Sequence, residues 1–142
     1  MQVASILSRP VISVVPQDRI SWAAALMQDH DIGALAVLDG TRPVGVVTDR
    51  DLVVRALTVQ DDTRDHTVGD LMSRDPVFCY VDQTIAEAAA IMGDAQIRRL
   101  LILDRSEKLA GILSVGDIAE NASEELAGQA LGEITETRRP RL

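Results

Sequence analysis

Two short stretches of this 142-residue chain hold residues of the types and spacing that bind anions and ribose. "GVVTDRDL" runs from Gly45 to Leu52, and "GILSVGDI" from Gly111 to Ile118. Each has a glycine, two aliphatic residues, a hydroxyl residue (Thr48 or Ser114) and an acid three positions later (Asp51 or Asp117). Two chemistries fit that spacing. A Thr or Ser before a helix with an acid three residues on is an N-cap signature, and the acid also suits the helix macrodipole. The same geometry leaves free amides at a helix start that bind anions, a hydroxyl that can donate to phosphate, and a carboxylate suited to both hydroxyls of a ribose. Gly45 and Gly111 would permit close approach to the backbone. Spacing alone leaves both readings open.

The elements that must position these seams come in two copies. A shift of 65 lays residues 3–39 on 68–104 without a gap, and identities recur along it, among them Val3 with Val68, Ile20 with Ile85, Met27 with Met92 and Asp39 with Asp104. The offset then grows by one, because "DGTRPVG" is one residue shorter than "DRSEKLAG". A polar turn is where a duplicated unit tolerates a change of length. Each copy reads as strand ("VISVV", "PVFCYV"), helix, strand ("ALAVL", "LLILD"), strand ("PVGVV", "LAGIL"), then the seam and a second helix. Apolar spacing marks Ile20, Ala24 and Met27, and likewise Ile85, Ala89 and Met92, as the inner helix faces, and Thr84 with Glu87 fits a capping box. The order is β-α-β-β-α twice: residues 3–58, a linker over 59–67 that contains "QDDTRD", residues 68–122, then a helix and tail over 123–142 ending in the basic "RRPR". A unit of this size cannot cover both faces of its sheet, which predicts an α/β fold with the two sheets packed together about a pseudo-two-fold axis and a ligand cleft between related halves.

Composition narrows the function. Apolar residues make up 46 % of the chain but aromatics only 2 %, so the core must be aliphatic. A net charge of −8 disfavours nucleic acid as partner. The single cysteine, Cys79, occupies a strand position matched by Val14 and reads as a core residue in a reducing cytoplasm. No apolar run is long enough to span a membrane. His30, His66 and Cys79 lack close ligand spacing, so no metal site is expected, and no serine, histidine and acid form a hydrolytic motif, so no enzyme is expected either. Trp22, matched by Glu87, marks a surface patch, either a subunit contact or a residue half-covered by the linker.

The seams, with "AAALMQDHDIGALAVLD" and "AAAIMGDAQIRRLLILD" before them and the openings "VASILSRP" and "VGDLMSRDP", resemble the two repeats of a CBS-domain pair, or Bateman module. With no second domain attached, the chain is similar to free-standing bacterial CBS-pair proteins. The resemblance implies a regulatory module that binds an adenosyl compound (AMP, ADP, ATP, NAD(H) or S-adenosylmethionine), requires no cofactor and forms a homodimer, commonly a flat disc of four repeats. It further implies that Thr48 and Asp51, with Arg50 nearby, face Val77, Ile97, Arg98 and Arg99, and that Ser114 and Asp117 face Ile12, Ile32, Gly33 and Ala34. The three arginines would favour phosphate in the first of these pockets. The rival reading is a structural, dimerisation or partner-docking module, serving an as yet unidentified protein partner, whose seams are caps only.

Overall fold

The computed structural model describes residues 1–7, 11–58 and 66–137. The linker segment "QDDTRD" and the "RRPR" tip lie outside the described residues. The first copy forms β1 (Ser13–Val14), α1 (Ile20–His30), β2 (Ala34–Asp39), β3 (Arg42–Thr48) and α2 (Asp49–Leu57). After it come the short α3 (Val68–Leu71) and β4 (Ser73–Arg74). The second copy forms β5 (Phe78–Tyr80), α4 (Ile85–Ala95), β6 (Arg99–Leu103), β7 (Leu109–Ser114) and α5 (Val115–Asn121), and α6 (Glu124–Thr135) closes the described chain. The duplicated β-α-β-β-α order is therefore the observed one.

The copies repeat down to single bonds because the interactions that shape them are local. β1 pairs with β2 in parallel and β2 with β3 antiparallel, and β5, β6 and β7 do the same. Both ladders carry an irregularity at the same place, Val37/Leu38 and Ile102/Leu103. α1 and α4 both end on a non-glycine residue in the left-handed region, Asp31 (φ 51°) and Gln96 (φ 55°). The turn of the second copy uses Glu107 at φ 68° where the first has Gly40 at φ 64°.

Packing units are not drawn along the repeat boundaries. One compact unit joins Met1–Arg9 to Val77–Leu142, and the other spans Pro10–Pro76. Each repeat's opening segment thus docks on the other repeat's body. The Val3 N–H donates to the Gln83 carbonyl at 2.9 Å and the Ala4 N–H to the Val81 carbonyl at 3.0 Å. In the other unit the Val68 N–H donates to Asp18 at 2.8 Å and the Gly69 N–H to Pro16 at 2.9 Å. These are equivalent pairs, the donors lying 65 residues later and the acceptors 65 residues earlier. Segment β4 continues the exchange by pairing with β3, Gly45 opposite Arg74.

Each unit has its own aliphatic core. Val14, Ala23, Met27, Leu35, Val37, Val47, Val68 and Met72 fill one. The other is larger, running from Val3 and Cys79 through Ile85, Met92, Leu100, Ile102, Leu113 and Ile118 to Ala127 and Ala130 of α6. Cys79 is 1 % exposed, and burial pushes its thiol up to about 11.

The expected inner face of α1 needs one correction. Ala24 is exposed, whereas its counterpart Ala89 is buried. The difference comes from α6, which packs on α4 and α5 and has no counterpart over α1 and α2 among the described residues. It reaches α4 at Gly93, where a Cβ would run into the Glu133 side chain. Gln96 then donates its side-chain amide to the Glu133 carbonyl at 3.1 Å, which also accepts the Glu136 N–H at 3.3 Å, and to the Glu136 carbonyl at 2.8 Å, tying down the end of α6. α5 ends at Asn121, and Ser123 starts α6 afresh by accepting the Leu126 N–H at 3.1 Å. Leu126 and Ile134 pack on the core, but Leu131 stays 42 % exposed.

Candidate functional site

Both seams are complete capping boxes. Thr48 Oγ1 accepts the Asp51 N–H at 3.1 Å, and Asp51 Oδ2 accepts the Thr48 N–H at 2.9 Å. Ser114 and Asp117 make the same two bonds at 3.0 and 2.8 Å. The reciprocal pair arises because the hydroxyl residue is still extended (φ −114° at Thr48, −106° at Ser114) while the acid already sits one turn into the helix. Each hydroxyl accepts an amide in this arrangement and keeps its own proton to donate. Each carboxylate spends one lone-pair position of about four on the cap. Asp51 has a further neighbour, Arg55 Nε at 3.6 Å from Oδ1, with the Asp51 side chain 14 % exposed. The start of the second strand is stitched to each seam by a backbone bond: the Asp49 N–H donates to the Gly33 carbonyl at 3.0 Å, and the Val115 N–H to the Arg98 carbonyl at 3.1 Å.

These bonds place the anticipated binding residues. Ala34 lies opposite Thr48 in the ladder, and Arg99 lies opposite Ser114. Gly33 and Ala34 therefore adjoin the first seam, and the exposed Arg98 and Arg99 adjoin the second. Arg50 is exposed on the first turn of α2, its N–H donating to Asp49 Oδ1 at 2.8 Å. Ile12 and Ile32 pack against one core and Ile97 against the other. Val77, 41 % exposed, offers its carbonyl to the Leu101 N–H at 3.4 Å. Thr48 and Asp51 belong to one unit and Val77, Ile97, Arg98 and Arg99 to the other, and so do the members of the second expected grouping, so both groupings remain expectations.

The glycines have a role that the sequence did not reveal. A Cβ on Gly45 would lie 2.6 Å from the Ser73 carbonyl and 2.7 Å from Met72 Sδ, and one on Gly111 would lie 3.2 Å from Leu7. Leu7 and Met72 are themselves related by the repeat offset. The close approach at both glycines is thus made by the exchanged opening segments. A third hydroxyl–x–x–acid start, Thr67 to Asp70 at 3.0 Å, opens α3 and was legible in the sequence as the same spacing.

One cavity of about 540 Å³ borders the second seam. Arg98, Arg99, Ser114 and Gly116 line it from the seam side, and α6 closes it. Among the described residues no cluster of three or more His, Cys, Asp or Glu could hold a metal ion, and no helix is long and apolar enough to cross a membrane.

Comparison with known proteins agrees with this architecture. The CBS-domain family matches residues 3–57 and 68–124. The chain is 36 % identical over 130 residues to the CBS domain-containing protein YhcV of Bacillus subtilis, covering 91 % of each chain. Among solved structures it resembles CBSX2 in complex with AMP (TM-score 0.73, 26 % identity, 87 % of this chain and 97 % of the other). It also resembles the CBS domain pair of MJ0100 in complex with 5′-methylthioadenosine and S-adenosyl-L-methionine (TM-score 0.77, 25 % identity, 88 % and 98 %). Two tandem copies of one unit, each closed by the same seam and each matched by the same family, make this chain a member of the CBS-domain family, a CBS pair.

Proposed function

We propose that the protein is a cytoplasmic regulatory module that senses an adenosyl compound at its seams and performs no catalysis. The observation that carries this reading is the pair of capping boxes. Each fixes a carboxylate rigidly one turn into a helix and leaves most of its lone pairs for a ligand, so cap and ribose holder are compatible roles for Asp51 and Asp117. The adenosyl ligands of two similar CBS pairs, AMP and S-adenosyl-L-methionine, support the ligand class. A thermal melt against AMP, ADP, ATP, NADH and S-adenosylmethionine tests it. A ligand at about 100 times its dissociation constant adds about 2.7 kcal/mol, a shift of several degrees in a chain of this size. Flat curves with all five at millimolar concentration would refute it.

A homodimer is the second part of the proposal. Trp22 on α1 is 54 % exposed, and Val53, Val54 and Leu57 on α2 are 58 %, 45 % and 74 % exposed. In the second copy Glu87 and Glu120 stand, exposed, at the positions of Trp22 and Val54, and α6 packs on α4 and α5. The two helix faces are therefore inequivalent, and a disc that uses both alike is not supported. Self-association through α1 and α2 is: acids and arginines balance on α2, so two copies meet there with little repulsion despite the chain's −8. Sedimentation of Leu57→Asp against the unaltered chain tests this, with monomer expected for the variant. An unaltered chain that runs as a monomer at high micromolar concentration would refute it.

A further inference from the structure

Arg55 lies on α2 one turn after Asp51, so the two side chains share a helix face. Its guanidinium reaches two partners at once. Nε lies 3.6 Å from Asp51 Oδ1, while Nη1 donates to the Leu71 carbonyl at 2.9 Å and to the Met72 carbonyl at 3.4 Å. Those carbonyls stand at the end of α3, where helical carbonyls run out of intrahelical donors and a cation is a favourable partner. Asp51 Oδ2 meanwhile accepts the Thr48 N–H, so one oxygen of the carboxylate serves the cap and the other faces Arg55.

The two carbonyls belong to the opening segment of the second repeat. The Val68 and Gly69 N–H groups tie its start to Asp18 and Pro16, and the buried Met72 packs beside Gly45 of the strand that leads into the seam. Shortly afterwards, at Val77, the chain enters the other packing unit. The second seam has no such link. Asn121 stands at the position of Arg55, and its side-chain amide turns back to the Asp117 carbonyl at 3.1 Å. Among the described residues no side-chain hydrogen bond joins α5 to Ile6 or Leu7, the counterparts of Leu71 and Met72. The Ser114–Asp117 box closes all the same, so capping does not require an arginine at that place.

We infer that Arg55 is a positioning residue that couples occupancy of Asp51 to the docking of residues 67–74, so that the first seam is the one whose ligand is felt beyond its own site. The inference rests on the proposed adenosyl sensing at that seam. A guanidinium is planar, so its Nε and Nη1 cannot be aimed separately. A docked segment fixes the fork, and the fork fixes the second oxygen of Asp51. With the seam open to water the pair is weak, because the Arg55 side chain is 49 % exposed. A ribose over Asp51 displaces water from one side of the pair and strengthens the attraction across it. That difference between open and occupied states is what allows a ligand to shift an equilibrium. The ligand therefore holds the segment down, and by reciprocity a docked segment tightens the ligand.

Amide hydrogen exchange on the full chain tests this, together with titration calorimetry of AMP. The hydrogen-bonded Val68, Gly69 and Met72 N–H groups report docking of the segment, and the amides of β2 report the rest of the unit. In the unaltered chain, AMP should slow the first group about fivefold more than the second. Arg55→Met keeps the aliphatic stem and loses the fork; AMP should bind it about fivefold more weakly and slow both groups alike. Arg55→Lys keeps a cation without the fork and should behave as Arg55→Met does. Without ligand, Asp51→Asn should speed the first group about twofold relative to β2 when Arg55 is present, and leave that ratio unchanged in Arg55→Met. Extra slowing by AMP that persists in Arg55→Met would overturn the inference, and so would full rescue by Arg55→Lys or undiminished AMP affinity in Arg55→Met. The two readings fail separately. If none of the five compounds binds while the ligand-free difference holds, nucleotide sensing falls and the link from Asp51 to the segment stands. If AMP binds and the ligand-free difference is absent, the role of Arg55 alone falls.

Discussion

Replacing Asp51 two ways separates its two roles. Asp51→Ala removes the acceptor of the part-buried Thr48 N–H, which is worth about 1 kcal/mol as a lost capping bond. It also removes a carboxylate from the first turn of α2, worth about 0.5 kcal/mol through the helix dipole. The pair with Arg55, whose side chain is 49 % exposed, adds only about 0.3 kcal/mol. The total of roughly 2 kcal/mol lowers the melting temperature by about 4–8 °C in a chain of this length. Asp51→Asn keeps an acceptor oxygen for the Thr48 amide and loses only the charge-dependent parts, roughly 0.8 kcal/mol or about 2–3 °C. Ribose discriminates differently. An amide has one acceptor oxygen where the carboxylate has two, and its NH₂ group opposes the donating hydroxyls. Both variants should therefore lose the stabilisation by AMP, although they differ in intrinsic stability. Scanning calorimetry at pH 7, with and without AMP, reads both quantities at once. An Asp51→Ala melt within about 1 °C of the unaltered chain would refute the capping argument. An AMP shift that persists in Asp51→Asn would refute the ribose argument.

Gly45→Ala should cost more than 2 kcal/mol in urea unfolding, because its Cβ would lie 2.6 Å from the Ser73 carbonyl, a backbone atom that cannot move without breaking the β3–β4 pairing. Gly40→Ala, with open space but φ 64°, should cost only about 1 kcal/mol; equal costs would refute the close-approach reading. Cys79, with its thiol pushed up to about 11 by burial, should not react with Ellman's reagent at pH 8 until the protein is unfolded. Rapid labelling of the native protein would contradict that burial. Acid should destabilise the protein in a defined window. Asp82 is held low by the Arg105 guanidinium, 2.9 Å away, and Asp70 by the Thr67 backbone N–H. A depressed folded value gives stability that is present above the ordinary value of 3.8 and is lost as pH falls below it. Melting temperature should therefore hold above about pH 4.5 and drop below about pH 4, less steeply in Arg105→Ala.

The sequence by itself determined whatever rests on short-range interactions. The duplication, and with it the match of Cys79 to the strand position of Val14, follows from the 65-residue offset; the β-α-β-β-α order and the helix starts at Thr48, Ser114 and Thr84 follow from spacing of two to four residues. Caps and strand alternation are decided within one turn or one pleat, so residue types suffice to read them. Only the tertiary structure decided what lies far apart in the chain. Gly45 looked like space for a ligand, yet a segment near Met72 fills that space. Ala24 and Ala89 are the same residue at the same repeat position, and α6 alone makes one buried and the other exposed. The exchange of opening segments is equally invisible in a repeat alignment, because an alignment pairs Val3 with Val68 and never shows that Val3 bonds to Gln83 and Val68 to Asp18. The cavity at Arg98 and Arg99 exists only because α6 turns back at Ser123 onto α4 and α5. Identical local sequence yields different surroundings when the two copies meet different long-range partners. The seams were therefore legible as residues, while the pocket beside one of them emerged only when the chain was folded.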